Sequence, residues 1–192
     1  MYLIVGLGNP GKEYAGTRHN VGFDTIDFLA YKNNVKLDKL KFNAVFGEYN
    51  IKGEKVILFK PVTYMNLSGN AVIEAVRYYK IPIENIIVVY DDIDIPLGSL
   101  RIRPHGSSGT HNGMKSMLYQ LQTENFKRIR IGIGKSKNSN ISLGDHVLQK
   151  FDQDERMVVN ETIQSAGLAA EDIISNGLEF AMNNYNKRVE EK

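Results

Sequence analysis

Short β-branched apolar runs alternate with segments of helical periodicity along nearly the whole chain, and this alternation restricts the fold more than any single motif. Tyr2–Val5 is an apolar run stopped by Gly6, short enough for a buried strand. Val21–Tyr31 repeats Phe23, Ile26 and Ala30 at i, i+3 and i+7, which predicts a helix with one apolar face. Phe42–Ile51 and Val56–Phe59 read as strands around the turn Lys52-Gly53-Glu54. Leu67–Tyr79 is helical through Val72, Val76 and Tyr79; Ile86–Tyr90 is a β-branched strand, and Leu100–Arg103 a shorter one. Asn112–Leu121 carries Met114, Met117, Leu118 and Leu121 on one helical face. Arg128–Ile133 sets Ile129, Ile131 and Ile133 at every second position, on one face of a strand. Asp154–Ser175 is a long helix, Gly177 interrupts it, and a short helix runs through Tyr185. Strands alternating with helices predict an α/β fold: one domain over residues 1–192, with a twisted mixed, mostly parallel sheet and helices on both faces. Ligands of such sheets sit beyond the carboxyl ends of the strands. That rule directs attention to the segments after Val5, Phe59, Tyr90, Arg103 and Ile133.

Composition removes several classes of function. The 192 residues include no Cys, so disulfides, thiolate metal sites and Cys nucleophiles are excluded. No apolar run approaches the ~20 residues of a membrane span. The start, MYLIVGLGNPG, lacks the basic region and apolar length of a signal peptide, which makes a cytoplasmic location the expectation. Net charge is only +2, but it is unevenly distributed. Residues 95–137 hold eight basic side chains, Arg101, Arg103, Lys115, Lys127, Arg128, Arg130, Lys135 and Lys137, against the single acid Glu124. The preceding part is balanced and the following part is acidic. Such a segment suits either a solvated basic face or contact with a polyanion.

Two glycine motifs fail on context. Gly6-Leu7-Gly8-Asn9-Pro10-Gly11 fits the dinucleotide fingerprint and follows a strand. That motif needs a helix opening on its last glycine and an acid about twenty residues on. Lys12–Arg18 has no apolar periodicity, and the later stretch reads Phe28-Leu29-Ala30-Tyr31-Lys32. Gly134-Lys135-Ser136 has Ile129 where a P-loop needs its first glycine, and no helical pattern follows.

Four polar segments remain. His19, in Thr17-Arg18-His19-Asn20, is either a loop residue beside an Asn20 helix cap or a base suited to neutral pH. Asp91-Asp92-Ile93-Asp94 ends a strand; it reads as an acidic turn, a divalent-metal site, or a partner for an imidazolium. Asn66, in Met65-Asn66-Leu67-Ser68-Gly69, suits a helix cap or an amide-binding role, and Asn9 suits a turn or the same role. The stretch from Pro104 to Gly113, with His105, His111 and Asn112, runs into a helix start inside the basic segment, where anions are favoured.

Taken together and in order, GLGNPGKEYAGTRHNVGF, KPVTYMNLSG, YDDIDIPLG, GTHNGMKS and FKRIRIGIG resemble the bacterial peptidyl-tRNA hydrolase family, through to about Tyr185. The resemblance implies a monomeric cytoplasmic α/β esterase acting on peptidyl-tRNA, with no metal and no organic cofactor. It implies His19 as catalytic base and Asp91 as its carboxylate partner. It places Asn9, Tyr14, Asn66 and Asn112 against the substrate, and Arg103, Lys115 and Arg130 against tRNA phosphates. Thr110, Lys135-Ser136 and His146 depart from the family's usual residues at their positions.

Overall fold

The central strands are apolar at consecutive positions, so both of their faces need cover. In the computed structural model, which describes residues 1–136 and 138–186, helices supply it on both sides. Lys137 of the basic segment and residues 187–192 of the expected domain lie outside the described residues. Seven strands, β1 (Tyr2–Gly6), β2 (Lys39–Lys41), β3 (Ala44–Ile51), β4 (Glu54–Pro61), β5 (Ile86–Asp92), β6 (Leu100–Arg103) and β7 (Lys127–Gly132), form one sheet in the order β2-β3-β4-β1-β5-β7-β6. The inner four, β4-β1-β5-β7, are parallel, and the flanking strands are antiparallel to their neighbours. The expected mixed, mostly parallel sheet is therefore observed.

Alternation within β1 divides the core. Ile4 faces α1 (Val21–Lys32), α5 (Gln153–Asn176) and α6 (Leu178–Tyr185). Leu3 and Val5 face α2 (Ser68–Tyr79) and α3 (Asn112–Leu121). Ile129 and Ile131 of β7 belong to the α5 side, which leaves Arg128 and Arg130 on the other.

Several boundaries differ from the sequence reading. Phe42 and Asn43 adopt left-handed backbone (φ 59° and 51°), so the chain turns there and β2 forms as a separate strand. Residues Arg18–Asn20 form a 3-10 turn that runs directly into α1. The short helix α4 (Leu143–Leu148) lies in a stretch without a legible period and starts on a Ser142 cap. The glycines after β1 serve close packing. A Cβ on Gly6 would lie 2.2 Å from the Gly22 carbonyl oxygen, and one on Gly8 would lie 2.5 Å from the Phe23 ring. Gly11 leads into a 3-10 turn and not into an α-helix, in keeping with the rejected dinucleotide motif. Among the described residues, no helix is long and apolar enough to cross a membrane.

Candidate active site

The chain places β1 centrally, with β4 on one side and β5 on the other, so a crevice opens at their carboxyl ends. His19 enters it from the turn before α1, and Asp91 from the end of β5. The two carboxylate oxygens of Asp91 both lie 2.9 Å from His19 Nδ1. Asp91 is only 2 % exposed and His19 9 %. His19 is thus no exposed loop residue. Its Nδ1 is committed to the carboxylate, while its ring lines a cavity of about 370 Å³.

The surrounding turn holds that imidazole in place. Arg18 N–H donates to the Gln149 carbonyl (3.0 Å), and its guanidinium meets Glu155 at 2.6 Å above the Phe151 ring. Asn20 occupies the cap position of α1 but makes no side-chain cap bond; its amide instead grips the Asn9 backbone, accepting from N–H (2.9 Å) and donating to C=O (3.0 Å). The Asn9 side-chain oxygen in turn accepts from Met65 N–H at 2.8 Å. One chain of amides therefore links the turns after β1 and β4.

A second imidazole completes the constellation. His111 caps α3: its Nδ1 accepts the Met114 N–H at 3.2 Å. That bond requires a lone pair on Nδ1, so Nε2 carries the proton and donates to Asp91 Oδ1 at 2.9 Å. The His19 and His111 rings lie 4.8 Å apart, and Tyr90 packs edge-on against His111 at 5.1 Å. Burial alone would raise the Asp91 pKa, but the electrostatic attraction of the His19 and His111 imidazoles and their hydrogen bonds outweigh it and hold the carboxyl well below its usual range. For His19, burial lowers the pKa; the Asp91 charge and hydrogen bond overcome that and raise it above 6.5.

The same geometry bears on a metal. His19, Asp91 and His111 bring three ligand-type atoms within 4.8 Å of one another. A neutral His111 offering Nε2 to a cation must carry its proton on Nδ1, against the Met114 N–H. Nor do the neighbouring acids converge: Asp92 accepts from Arg130 Nε at 2.7 Å, and Asp94 pairs with Lys135 at 3.1 Å.

His19, Asp91, Asn112, Arg103 and Arg130 line one cavity, together with His105 and Arg128. Asn9 lines a second cavity of about 460 Å³ with Asn20. Tyr14 is half-buried in its 3-10 turn, Asn66 is exposed in the turn Met65–Leu67, and Lys115 is exposed on α3. None of these three lines either cavity. Asn66 does not cap α2, whose cap position is Leu67, without a side-chain bond. His146, buried in α4, donates from Nε2 to the Gly134 carbonyl at 2.9 Å. In the sequence, His111 reads as a loop polar residue or part of an anion-favouring helix start, and Arg128 as one cation of a segment that suits either a solvated face or a polyanion. The signals available were the helix-cap position of His111 and the two-residue period that separates Arg128 from Ile129.

Comparison with known proteins bears on the family of the whole chain. The family model described as peptidyl-tRNA hydrolase matches residues 3–192. A peptidyl-tRNA hydrolase of Alkaliphilus metalliredigens is 56 % identical over 186 residues, covering 97 % of this chain and all of that protein. One from Caldanaerobacter subterraneus is 55 % identical over the same share of both. Among solved structures, peptidyl-tRNA hydrolase from Acinetobacter baumannii is 37 % identical with a TM-score of 0.90, covering 97 % of this chain and 94 % of that one. Sequence and fold agree along the full match, and this chain belongs to the peptidyl-tRNA hydrolase family.

Proposed function

We propose that the chain hydrolyses the ester between the peptide and the 3′-terminal ribose of peptidyl-tRNA, and that His19 is the base. Nδ1–H of His19 is held by Asp91, so the lone pair sits on Nε2, the nitrogen that the carboxylate does not engage. His19 takes a proton from water there. The water oxygen bonds to the ester carbonyl carbon, Asp91 stabilises the imidazolium, and the bond to the ribose oxygen breaks. That oxygen receives the proton from His19, so free peptide acid and tRNA leave and the base is regenerated. Amide donors from Asn9, Asn66 and Asn112 meet the peptide backbone and the developing oxyanion, contacts that tolerate any peptide sequence. Tyr14 lies against the tRNA terminus. Arg103, Arg130 and Lys115 contact phosphates, which supplies affinity without base readout. The enzyme works in the cytoplasm as a single domain and a monomer.

The observation that carries this reading is the buried His19–Asp91 contact at the edge of a cavity lined by arginines. The test is incubation with N-blocked aminoacyl-tRNA in the presence of chelator. Release of the acyl group by the wild type, and its loss in His19→Ala, is expected. Release that chelator abolishes and Mg²⁺ restores would replace this mechanism with a metal-dependent one.

A further inference from the structure

Among the described residues, the largest fully buried side chain carries a guanidinium. Arg128 is 1 % exposed, on a strand whose neighbouring Ile129 enters the core on the opposite face. Among the described residues, no carboxylate stands within ion-pair distance of it. A buried cation without a counter-charge is costly unless hydrogen bonds satisfy it. What the guanidinium does reach is backbone. Nη1 donates to the Ser107 carbonyl at 2.6 Å and Nη2 to the Glu124 carbonyl at 3.4 Å. It lies 4.7 Å from the Phe126 ring centroid, with the Tyr90 phenol beside it. Gly106 passes directly over it: a Cβ there would sit 3.6 Å from Nη1.

Ser107 and Glu124 bracket the helix α3 in the chain, one before its start and one after its end. The loop that Arg128 holds runs straight into His111, whose ring is fixed by Asp91 at one nitrogen and Met114 at the other. The other ties to backbone in that loop are local: His111 N–H to the Ser108 carbonyl (3.2 Å), the Ser108 hydroxyl to the Gly109 carbonyl (3.4 Å), and Lys115 N–H, in the first turn of α3, to the His111 carbonyl (3.0 Å). We propose that Arg128 is a positioning residue: its bond to Ser107 fixes the loop between β6 and α3, and so holds His111 against Asp91. Its effect on turnover rests on the proposed hydrolysis; its effect on the loop does not.

The test uses full-length Arg128→Met and Arg128→Lys, alone and with His111→Ala. Amide hydrogen exchange read by NMR is the measurement independent of activity. In Arg128→Met the Met114 amide should exchange about tenfold faster or more, while that of Ile131 in the sheet stays protected. On N-blocked aminoacyl-tRNA, kcat should fall about ten- to a hundredfold with KM changed by less than about threefold, the scale of a misplaced active-site group. Arg128→Lys, which keeps the charge and one donor, should recover part of both effects. In the His111→Ala background, adding Arg128→Met should cost less than about threefold further.

An unchanged Met114 exchange rate overturns the proposal. So does a full, additive loss in the His111→Ala background. A raised KM with unchanged kcat and a shallower salt dependence of tRNA binding would make Arg128 a phosphate ligand instead. Should Arg128→Met fail to fold, Arg128→Lys decides, since wild-type exchange and wild-type kcat in it would refute the strap. Faster exchange in a protein whose wild type releases no acyl group would sink the proposed function while upholding the role in the loop.

Discussion

Replacing Asp91 by Asn tests the constellation at its most constrained point. The carboxylate accepts from two imidazoles at 2.9 Å, and the asparagine side chain has only one oxygen. His111 cannot yield, because its Nδ1 accepts the Met114 N–H and its proton must stay on Nε2. The asparagine oxygen therefore turns to His111, and its NH₂ faces His19 Nδ1. His19 can accept that NH₂ only with its proton moved to Nε2, which leaves no lone pair facing the cavity. Removal of the correct tautomer by this kind of change lowers kcat about 10³- to 10⁴-fold in a carboxylate–histidine pair, or about 4–5.5 kcal/mol of activation free energy. The pH profile supplies a second readout. Asp91 is what raises the His19 pKa against the effect of burial. Without it the remaining activity should show its acid limb below pH 6.5, where the wild type shows it above. The assay is the pH dependence of kcat/KM on N-blocked aminoacyl-tRNA, with unchanged near-UV circular dichroism as the control for folding. A loss under tenfold, or an acid limb that does not move, would refute the tautomer argument.

Further outcomes follow from the same contacts. His19→Ala should lower kcat about 10²- to 10⁴-fold while leaving affinity for deacylated tRNA within a few-fold; a parallel loss of binding would assign His19 to affinity. Arg130→Ala should weaken tRNA binding and reduce the slope of log K against log salt by about one, and an unchanged slope would remove Arg130 from the phosphate contacts. Stability should depend on pH through His19: its raised folded pKa stabilises the native state fully below 6.5, and that contribution disappears as pH rises through the folded value. The Tm advantage of wild type over Asp91→Asn should therefore shrink from pH 6 to pH 9, and a widening gap would contradict the sign. Gly6→Ala places a Cβ 2.2 Å from the Gly22 carbonyl, so urea denaturation should show a loss of about 1–3 kcal/mol or more.

The sheet is legible in the sequence because its central strands are buried on both faces and read as unbroken apolar runs, as in Ile86–Tyr90. The long helices are equally legible, their apolar positions recurring over two or more turns. The helix α4 is not, since its six residues hold less than two turns of pattern. β2 is hidden because its three residues, Lys39-Leu40-Lys41, are all exposed and too few to establish a period. At the site, His19 and Asp91 stand out as residue types suited to the chemistry, at ends of elements that the fold brings together. Their contact spans 72 positions, and only the neighbouring of β1 and β5 produces it. His111 and Arg128 are hidden for different reasons. A histidine cap uses the same ring that reaches Asp91, and an arginine buried on carbonyls looks, in sequence, like any surface cation.

The most direct measurement of the central claim is the ¹⁵N NMR signature of the His19 imidazole as a function of pH. At pH 8 and above its titration midpoint, Nδ1 should be protonated and bonded, Nε2 should be unprotonated, and that midpoint should lie above 6.5. A proton found on Nε2, or a midpoint below 6.5, would mean that Asp91 does not hold His19 as a base.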